Sequence, residues 1–149
     1  MIFVAVGTTD FDELIREMDR LAPGLPEPVV MQIGGGEYLP ANGEYFRFAP
    51  SLDPYYEQAS LVVSHGGLGI VTEALLRGKK LIAIENPSTH GGHQTDILAE
   101  LSGLGCLIWC RQVDQLSDAL QESRAKEFAA YVAPGCEIHQ RIKDRLRVA

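Results

Sequence analysis

The chain has few cysteines, no excess of basic residues and no hydrophobic run long enough to span a membrane, and each absence excludes a class of protein. Its 13 lysine and arginine residues stand against 20 acidic residues, a net charge of −7. Nucleic acid is therefore not expected as a partner, because binding a phosphate backbone needs a clustered basic face. Residues 1–6 are apolar without a basic region, so they predict neither a signal peptide nor a membrane span. Association with a membrane is expected only through a surface or a partner.

The three cysteines, Cys106, Cys110 and Cys136, are an odd number at a spacing that fits neither a disulfide framework nor a paired zinc knuckle. We expect buried thiols and a reducing, cytoplasmic setting. With 149 residues, 46% hydrophobic and 22% charged, the chain fits one globular domain over residues 1–149, which would bury roughly 70% of its unfolded surface.

Short apolar runs alternate with helical patterns along most of the chain. Strands are predicted at residues 2–6, 29–33, 45–49, 61–64, 80–85 and 106–109. Helices are predicted at residues 11–21, 69–77 and 94–103, and a basic C-terminal helix at about 136–148. Asp10 and Glu13 have the spacing of a capping box before the first helix. This alternation predicts an α/β fold with a doubly wound parallel sheet and helices on both faces.

Glycine-rich loops follow the first, second and fourth predicted strands, at the edge where ligands bind in such sheets. The loop in residues 64–73 is the most informative, because its glycines between a strand and a helix allow a close approach to phosphate. Glu73 lies one turn into that helix, where a carboxylate can accept two ribose hydroxyl groups. A nucleoside diphosphate is therefore favoured. The alternative is that the glycines serve helix packing and Glu73 is solvated.

Two further segments carry polar or aromatic groups to the same edge. The amide of Gln94, at a helix start beside His93, suits sugar hydroxyls. His90 and His93 lack a third ligand, so no metal is expected. The second glycine loop, at Gly34, and the strand end at Phe48 could receive a planar base, although Phe48 fits a core position equally well.

Together, these motifs resemble a known family. The stretches that carry the resemblance are residues 4–15, residues 59–75 with the sequence ASLVVSHGGLGIVTEAL, and the pair His93–Gln94. They are similar to the glycosyltransferase family 28 C-terminal domain, and most similar within it to the small donor-binding subunits of two-component UDP-sugar transferases. The likeness runs in order from residue 2 to about residue 110.

The resemblance implies one half of a GT-B glycosyltransferase that binds a UDP-sugar. The glycine loop would contact the diphosphate, Glu73 the ribose, Phe48 and Ala49 the uracil, and His93 with Gln94 the donor sugar. The implied donor-binding residues are Gly7, Thr8, Gly34, Phe48, Ala49, His65, Gly66, Gly67, Gly69, Glu73, His93 and Gln94. His65 is the one candidate for a catalytic group, as a phosphate contact rather than a base.

The implied reaction is inverting transfer of a hexose or N-acetylhexosamine without metal or cofactor, with the UDP leaving group stabilised by loop amides and the helix dipole. A membrane-associated partner subunit would hold a lipid-linked saccharide acceptor and supply the general base, and the basic C-terminal helix would dock on it. Gly91 and Gly92 stand where relatives often carry an acidic residue and an asparagine, which leaves the sugar open. The alternatives are a nucleotide-sugar epimerase or hydrolase, and a non-catalytic binding or regulatory subunit.

Overall fold

The computed structural model of the chain describes residues 1–87 and 93–133, and these form one sheet of six parallel strands covered by helices on both faces. The strands are β1 (Ile2–Ala5), β2 (Val29–Gln32), β3 (Glu44–Phe46), β4 (Leu61–His65), β5 (Lys80–Ile84) and β6 (Ile108–Cys110). The helices of the described part are α1 (Asp12–Leu21), α2 (Asp53–Gln58), α3 (Leu68–Leu76), α4 (His93–Gly103) and α5 (Leu116–Ala125). The strand order is β3-β2-β1-β4-β5-β6, so the winding reverses between β1 and β4.

In the strands other than the edge strand β3, alternating side chains enter two separate cores. Val4 and its neighbours on one face pack against α1 and α5, while Phe3 and Ala5 on the other face pack against α2, α3 and α4. Strands buried on both faces explain why the sequence shows continuous apolar runs rather than polar alternation. The two layers hold the carboxyl ends of all six strands at one edge, where the loops described below lie.

The observed elements differ from the prediction mainly at their ends. Both β1 and β2 end one residue earlier than predicted, β3 ends at Phe46 before the predicted residues 47–49, and β4 continues one residue further to His65. The last strand begins at Ile108 instead of residue 106. The short helix α2 was not predicted: its sequence is largely polar, and Tyr56 is its buried residue.

The predicted capping box before α1 is wrong. The helix begins at Asp12 with Phe11 as its N-cap, and no side chain caps it. Asp12 instead accepts a hydrogen bond from the backbone N–H of Glu37 at 3.1 Å, so an acidic residue of the first turn holds the loop after β2. The predicted basic helix at residues 136–148, and Cys136 with it, lie outside the described residues. In the described part, no helix has the length and apolar character needed to cross a membrane.

Candidate functional site at the carboxyl edge of the sheet

The loops that follow β1 and β2 touch through their backbones. Gly34 has φ +58°, and a Cβ added there would lie 2.3 Å from the carbonyl oxygen of Thr9 and 2.8 Å from that of Gly7. Gly7 also has a positive φ, +69°. Only glycine accommodates both the backbone conformation and the close approach at Gly34, so this residue has a structural reason for its identity.

Gln32, the last residue of β2, holds these loops in place. Its Oε1 accepts hydrogen bonds from the N–H groups of Val6 at 3.1 Å and Gly7 at 2.8 Å. Its Nε2 donates to the carbonyl groups of Gly7 at 2.7 Å and Arg47 at 2.8 Å. The side chain is 2% exposed, so one buried amide ties together the segments that follow β1 and β3.

His65 lies at the end of β4, beside Gly7. Its Nδ1 accepts a hydrogen bond from the N–H of Gly67 at 3.1 Å, which places the ring proton on Nε2 in the neutral tautomer. Nε2 is 3.4 Å from the position that a Cβ on Gly7 would take. Burial lowers the pKa of His65 below its ordinary value, so the ring is neutral near pH 7. In this arrangement Nε2 is a hydrogen-bond donor, which suits contact with an anion and not proton abstraction.

The start of α3 presents unsatisfied backbone N–H groups to the same edge. Gly67 is the N-cap, and no side chain caps the helix. Leu68 and Gly69 are exposed, and a Cβ on Gly69 would meet nothing within 4 Å. A helix N-terminus of this kind favours a phosphate through its N–H groups and dipole.

Gln94, in the first turn of α4, lies next to this loop. A Cβ added to Gly66 would be 3.2 Å from Gln94 Oε1 and 2.8 Å from Leu98 Cδ1. The structure therefore brings Gln94 beside the glycine loop, as its predicted role requires. His93 begins α4, but its side chain, together with His90, Gly91 and Gly92, lies outside the described part.

Glu73 is exposed on α3, on the side that faces α2. Burial, and after it the nearby carboxylate of Glu73, raise the pKa of Tyr56 on α2 well above its ordinary value. Arg77 lies one turn further along, with its guanidinium 4.9 Å from the ring centroid of Tyr56, and pairs with Asp53 at the start of α2. Glu73 thus lies near Tyr56 of α2, while its own side chain remains exposed.

Phe48 is 61% exposed just after β3, so the core position considered for it is wrong. The aromatic side chain that enters the core is Phe46, whose ring stacks on that of Tyr55 at 4.4 Å between centroids. Ala49 is half-buried and Thr8 is exposed. An exposed ring at a strand end is available for stacking on a planar base.

The candidate groups occur in a definite order along the edge. Phe48 follows β3, Gly7 follows β1, the glycine loop follows β4, and Gln94 lies beyond β4 at the start of α4. By ordinary strand spacing, β3 and β5 are about 19 Å apart. Along this edge the structure thus presents an aromatic ring after β3, the N-terminus of α3 after β4 and the amide of Gln94 at the start of α4, with Glu73 further along α3.

Asn86 and Gln32 were not among the predicted site residues. Asn86 is 3% exposed, and its Nδ2 donates to the carbonyl of Asp10 at 2.9 Å, which links the loops after β5 and β1. A polar residue at the end of an apolar strand is the only signal that either position carries in the sequence. The hydrogen-bond partners of Gln32 and Asn86 depend on how loops that are distant in the sequence pack together.

The described part of the chain contains two of the three thiols. Cys106 and Cys110 are buried and free, as expected, and burial raises the pKa of Cys110 to about 11. The described residues contain no group of three or more histidine, cysteine and acidic side chains arranged to hold a metal ion.

Comparison with known families gives the class of this chain. Residues 1–145 match the model of the glycosyltransferase family 28 C-terminal domain. The chain belongs to this family, and the prediction of a glycosyltransferase domain is confirmed at the level of class. The mouse protein named UDP-N-acetylglucosamine transferase subunit ALG13 is 32% identical over 121 residues, which are 72% of this chain. Those residues are 10% of the mouse protein, so the chain spans about a tenth of that relative's length.

Solved structures agree on the fold. The Acinetobacter baumannii MurG crystal structure matches with a TM-score of 0.65 and 21% identity, over 84% of this chain and 42% of MurG. The solution structure of ALG13 matches with a TM-score of 0.63 and 20% identity, over 95% of this chain and 93% of that one. The predicted Rossmann-like parallel sheet, equivalent to one half of a GT-B glycosyltransferase, is confirmed.

Proposed function

We propose that this chain is the donor-binding subunit of a two-component glycosyltransferase, and that it binds a UDP-sugar along the carboxyl edge of its sheet. The order of groups along that edge carries the proposal: exposed Phe48, then Glu73, then the uncapped start of α3, then Gln94. Each group suits one part of the donor in the sequence base, ribose, diphosphate, sugar. The sugar is a hexose or N-acetylhexosamine, and the name of the mouse relative favours N-acetylglucosamine.

The chemistry of this half is stabilisation of the leaving group. As an acceptor hydroxyl attacks the anomeric carbon, the bond to the UDP oxygen breaks and negative charge grows on the diphosphate. In this proposal the N–H groups of the first turn of α3, which no side chain caps, and the Nε2–H of His65 donate to that charge. Because His65 Nδ1 already accepts a hydrogen bond, His65 acts as a donor, and the general base belongs to the acceptor side.

The acceptor half is a separate, membrane-associated subunit that holds a lipid-linked saccharide. The exposure of Thr8 and Phe48 at the edge supports an open cleft on this chain. The family description, a C-terminal domain, and the name of the mouse relative, a subunit, support a separate second part of the enzyme. We place the protein at the cytoplasmic face of a membrane, recruited through that partner, with residues 136–148 as part of the contact.

Saturation-transfer NMR of the full chain with UDP, GDP and UDP-N-acetylglucosamine tests the proposal. We expect uracil and ribose signals for the two uridine ligands and weak or absent signals for GDP. In Glu73→Ala these signals should fall at least about tenfold, because a carboxylate that accepts two hydroxyl groups is lost.

The matched control is Glu122→Ala, which removes an exposed carboxylate from α5 on the opposite face of the sheet. This variant should bind as the parent does. Equal binding of UDP by Glu73→Ala and the parent would overturn the ribose assignment. No binding of any uridine nucleotide would overturn the proposed function.

A further inference from the structure

A cavity adjoins the proposed diphosphate site and continues along the edge past β5. It has a volume of about 520 Å³ and lies between the ends of β5 and β6, the start of α4 and the first turn of α1. Gln94 lines it and also lies beside Gly66 of the glycine loop. A ligand whose diphosphate sits at that loop can therefore extend directly into this cavity.

The groups around the cavity select for hydroxyl-rich ligands. Carboxylates from Glu13, Glu85 and Asp114 line it, while among its described lining residues Arg111 is the one cation. The guanidinium of Arg111 is stacked on the ring of Trp109, 4.2 Å from its centroid. With three carboxylates against one guanidinium, a second phosphate or a carboxylate is disfavoured, whereas neutral hydroxyl groups can donate to the acidic oxygens.

Glu85 stands out because one of its oxygens has no partner. Oε1 is fully buried and makes no hydrogen bond, whereas Glu13 and Asp114 are exposed to water. A buried carboxylate oxygen without a donor is costly. Glu85 lines the cavity and is only half-buried, so a rotation of its carboxylate would let a ligand hydroxyl in the cavity supply the missing hydrogen bond. Glu85 directly follows β5, so its backbone is held by a strand of the central sheet.

We infer that Glu85 is a specificity-determining residue for the donor sugar, accepting a hydroxyl hydrogen bond from an uncharged hexose and excluding acidic ones. This inference rests on the proposed function, because the sugar reaches Glu85 only when the diphosphate occupies the glycine loop. The inference itself concerns how much the sugar adds to the affinity, and this can be measured separately from the contribution of the nucleotide.

The test measures dissociation constants of the full chain for UDP, UDP-N-acetylglucosamine and UDP-glucuronic acid. In Glu85→Ala, affinity for UDP-N-acetylglucosamine should fall about tenfold, the effect of one hydrogen bond to a charged group, while affinity for UDP changes less than about twofold. Glu85→Gln removes the charge and keeps the shape, so it should raise affinity for UDP-glucuronic acid severalfold relative to the parent. Glu122→Gln is the control for a change in net charge, and should leave all three constants unchanged.

The outcomes separate the two proposals. If the parent binds UDP and the ratio of the UDP-N-acetylglucosamine and UDP constants is the same in the parent, Glu85→Ala and Glu85→Gln, the inference about Glu85 is overturned and the proposed function stands. A parallel loss of UDP affinity in both variants also overturns it, since Glu85 would then support the loop and not the sugar. If the parent binds no uridine nucleotide, both proposals fall together.

Discussion

At the scale of single residues, the site depends on His65, whose neutral form is favoured by burial. His65 is 7% exposed, accepts a hydrogen bond at Nδ1 from Gly67 and lies beside Gly7. Glu73, by contrast, stays accessible on α3. The edge therefore combines a buried, neutral hydrogen-bond donor, His65, which suits a phosphate, with an exposed acceptor, Glu73, which suits the hydroxyl groups of a ribose.

The buried His65 predicts a dependence of stability on pH. Its pKa is lowered in the folded state, so below an ordinary histidine value of about 6.5 the unfolded chain binds a proton that the folded chain does not. The titration of His65 therefore leaves the free energy of unfolding unchanged above that value. Below it, the free energy of unfolding falls as the pH decreases, until the lowered pKa of the folded state is passed. Urea unfolding at pH 7 and pH 5 should show a larger loss for the parent than for His65→Gln. Since the other histidines are present in both proteins, equal losses would contradict the burial of a neutral His65.

At the scale of elements, the loops after β1 and β2 are built around backbone contacts. Gly34 combines a φ of +58° with a Cβ position 2.3 Å from Thr9 O, whereas a Cβ on the neighbouring Gly35 would meet nothing within 4 Å. Two adjacent glycines in one sequence motif therefore have different structural requirements.

Gly34→Ala should destabilise the fold by more than about 2 kcal/mol, because a positive φ and a clash with backbone act together. Gly35→Ala is the matched control and should change the free energy of unfolding by less than about 0.5 kcal/mol. Chemical denaturation of both variants measures the difference. Equal stability of the two would mean that the loops do not meet as described.

Gln32→Leu tests the contacts that join the end of β2 to the segments after β1 and β3. It removes an acceptor for the N–H groups of Val6 and Gly7 and a donor to the carbonyl groups of Gly7 and Arg47; the bond to Val6 is buried and the other three are partly buried. The N–H of Val6 keeps the backbone carbonyl of Gln32 as an acceptor at 3.3 Å, so the cost comes from Gly7 and Arg47 and should be about 3 kcal/mol. Gln58→Leu at the exposed end of α2 is the control for the same chemical change, and its stability should be close to that of the parent in the same denaturation experiment.

How far the sequence predicts these elements depends on whether the signal is local. Strands such as β4 and helices such as α1 were predicted because their apolar spacing is a property of consecutive residues. The helix α2 was missed because a six-residue, mostly polar segment has no such period. The contacts of Gln32 and Asn86 join residues far apart in the chain, so no local pattern could show them. The position of the glycine loop could be predicted from the sequence. The tautomer of His65 could not, because it depends on the hydrogen bond from the N–H of Gly67, which only the structure shows.

At the scale of the whole molecule, one sheet edge carries the entire proposed site. The strand order reverses between β1 and β4, and the loops that follow these strands diverge there to leave a crevice. The proposed ligand runs across this point from β3 toward β5. Exposed Thr8 and Phe48 leave the crevice open on the side that a second subunit would cover.

Sugar transfer should therefore require a second subunit. We expect the purified chain with labelled UDP-N-acetylglucosamine and a lipid-linked saccharide to form no labelled lipid, and the reconstituted two-subunit complex to form it. Glu73→Ala in the complex should lower the yield, with Glu122→Ala as the control. Robust transfer by the chain alone would contradict the two-component proposal.

The order of ligand groups along the edge is the central claim, and amide chemical-shift mapping of the ¹⁵N-labelled full chain tests it most directly. UDP should shift the amides of Phe48, Ala49 and residues 66–69, and UDP-N-acetylglucosamine should add shifts at Gln94, Thr95 and Glu85. Shifts confined to the apolar groove between α3 and α4, around Leu75 and Leu101, or sugar-dependent shifts near Phe48, would contradict the account.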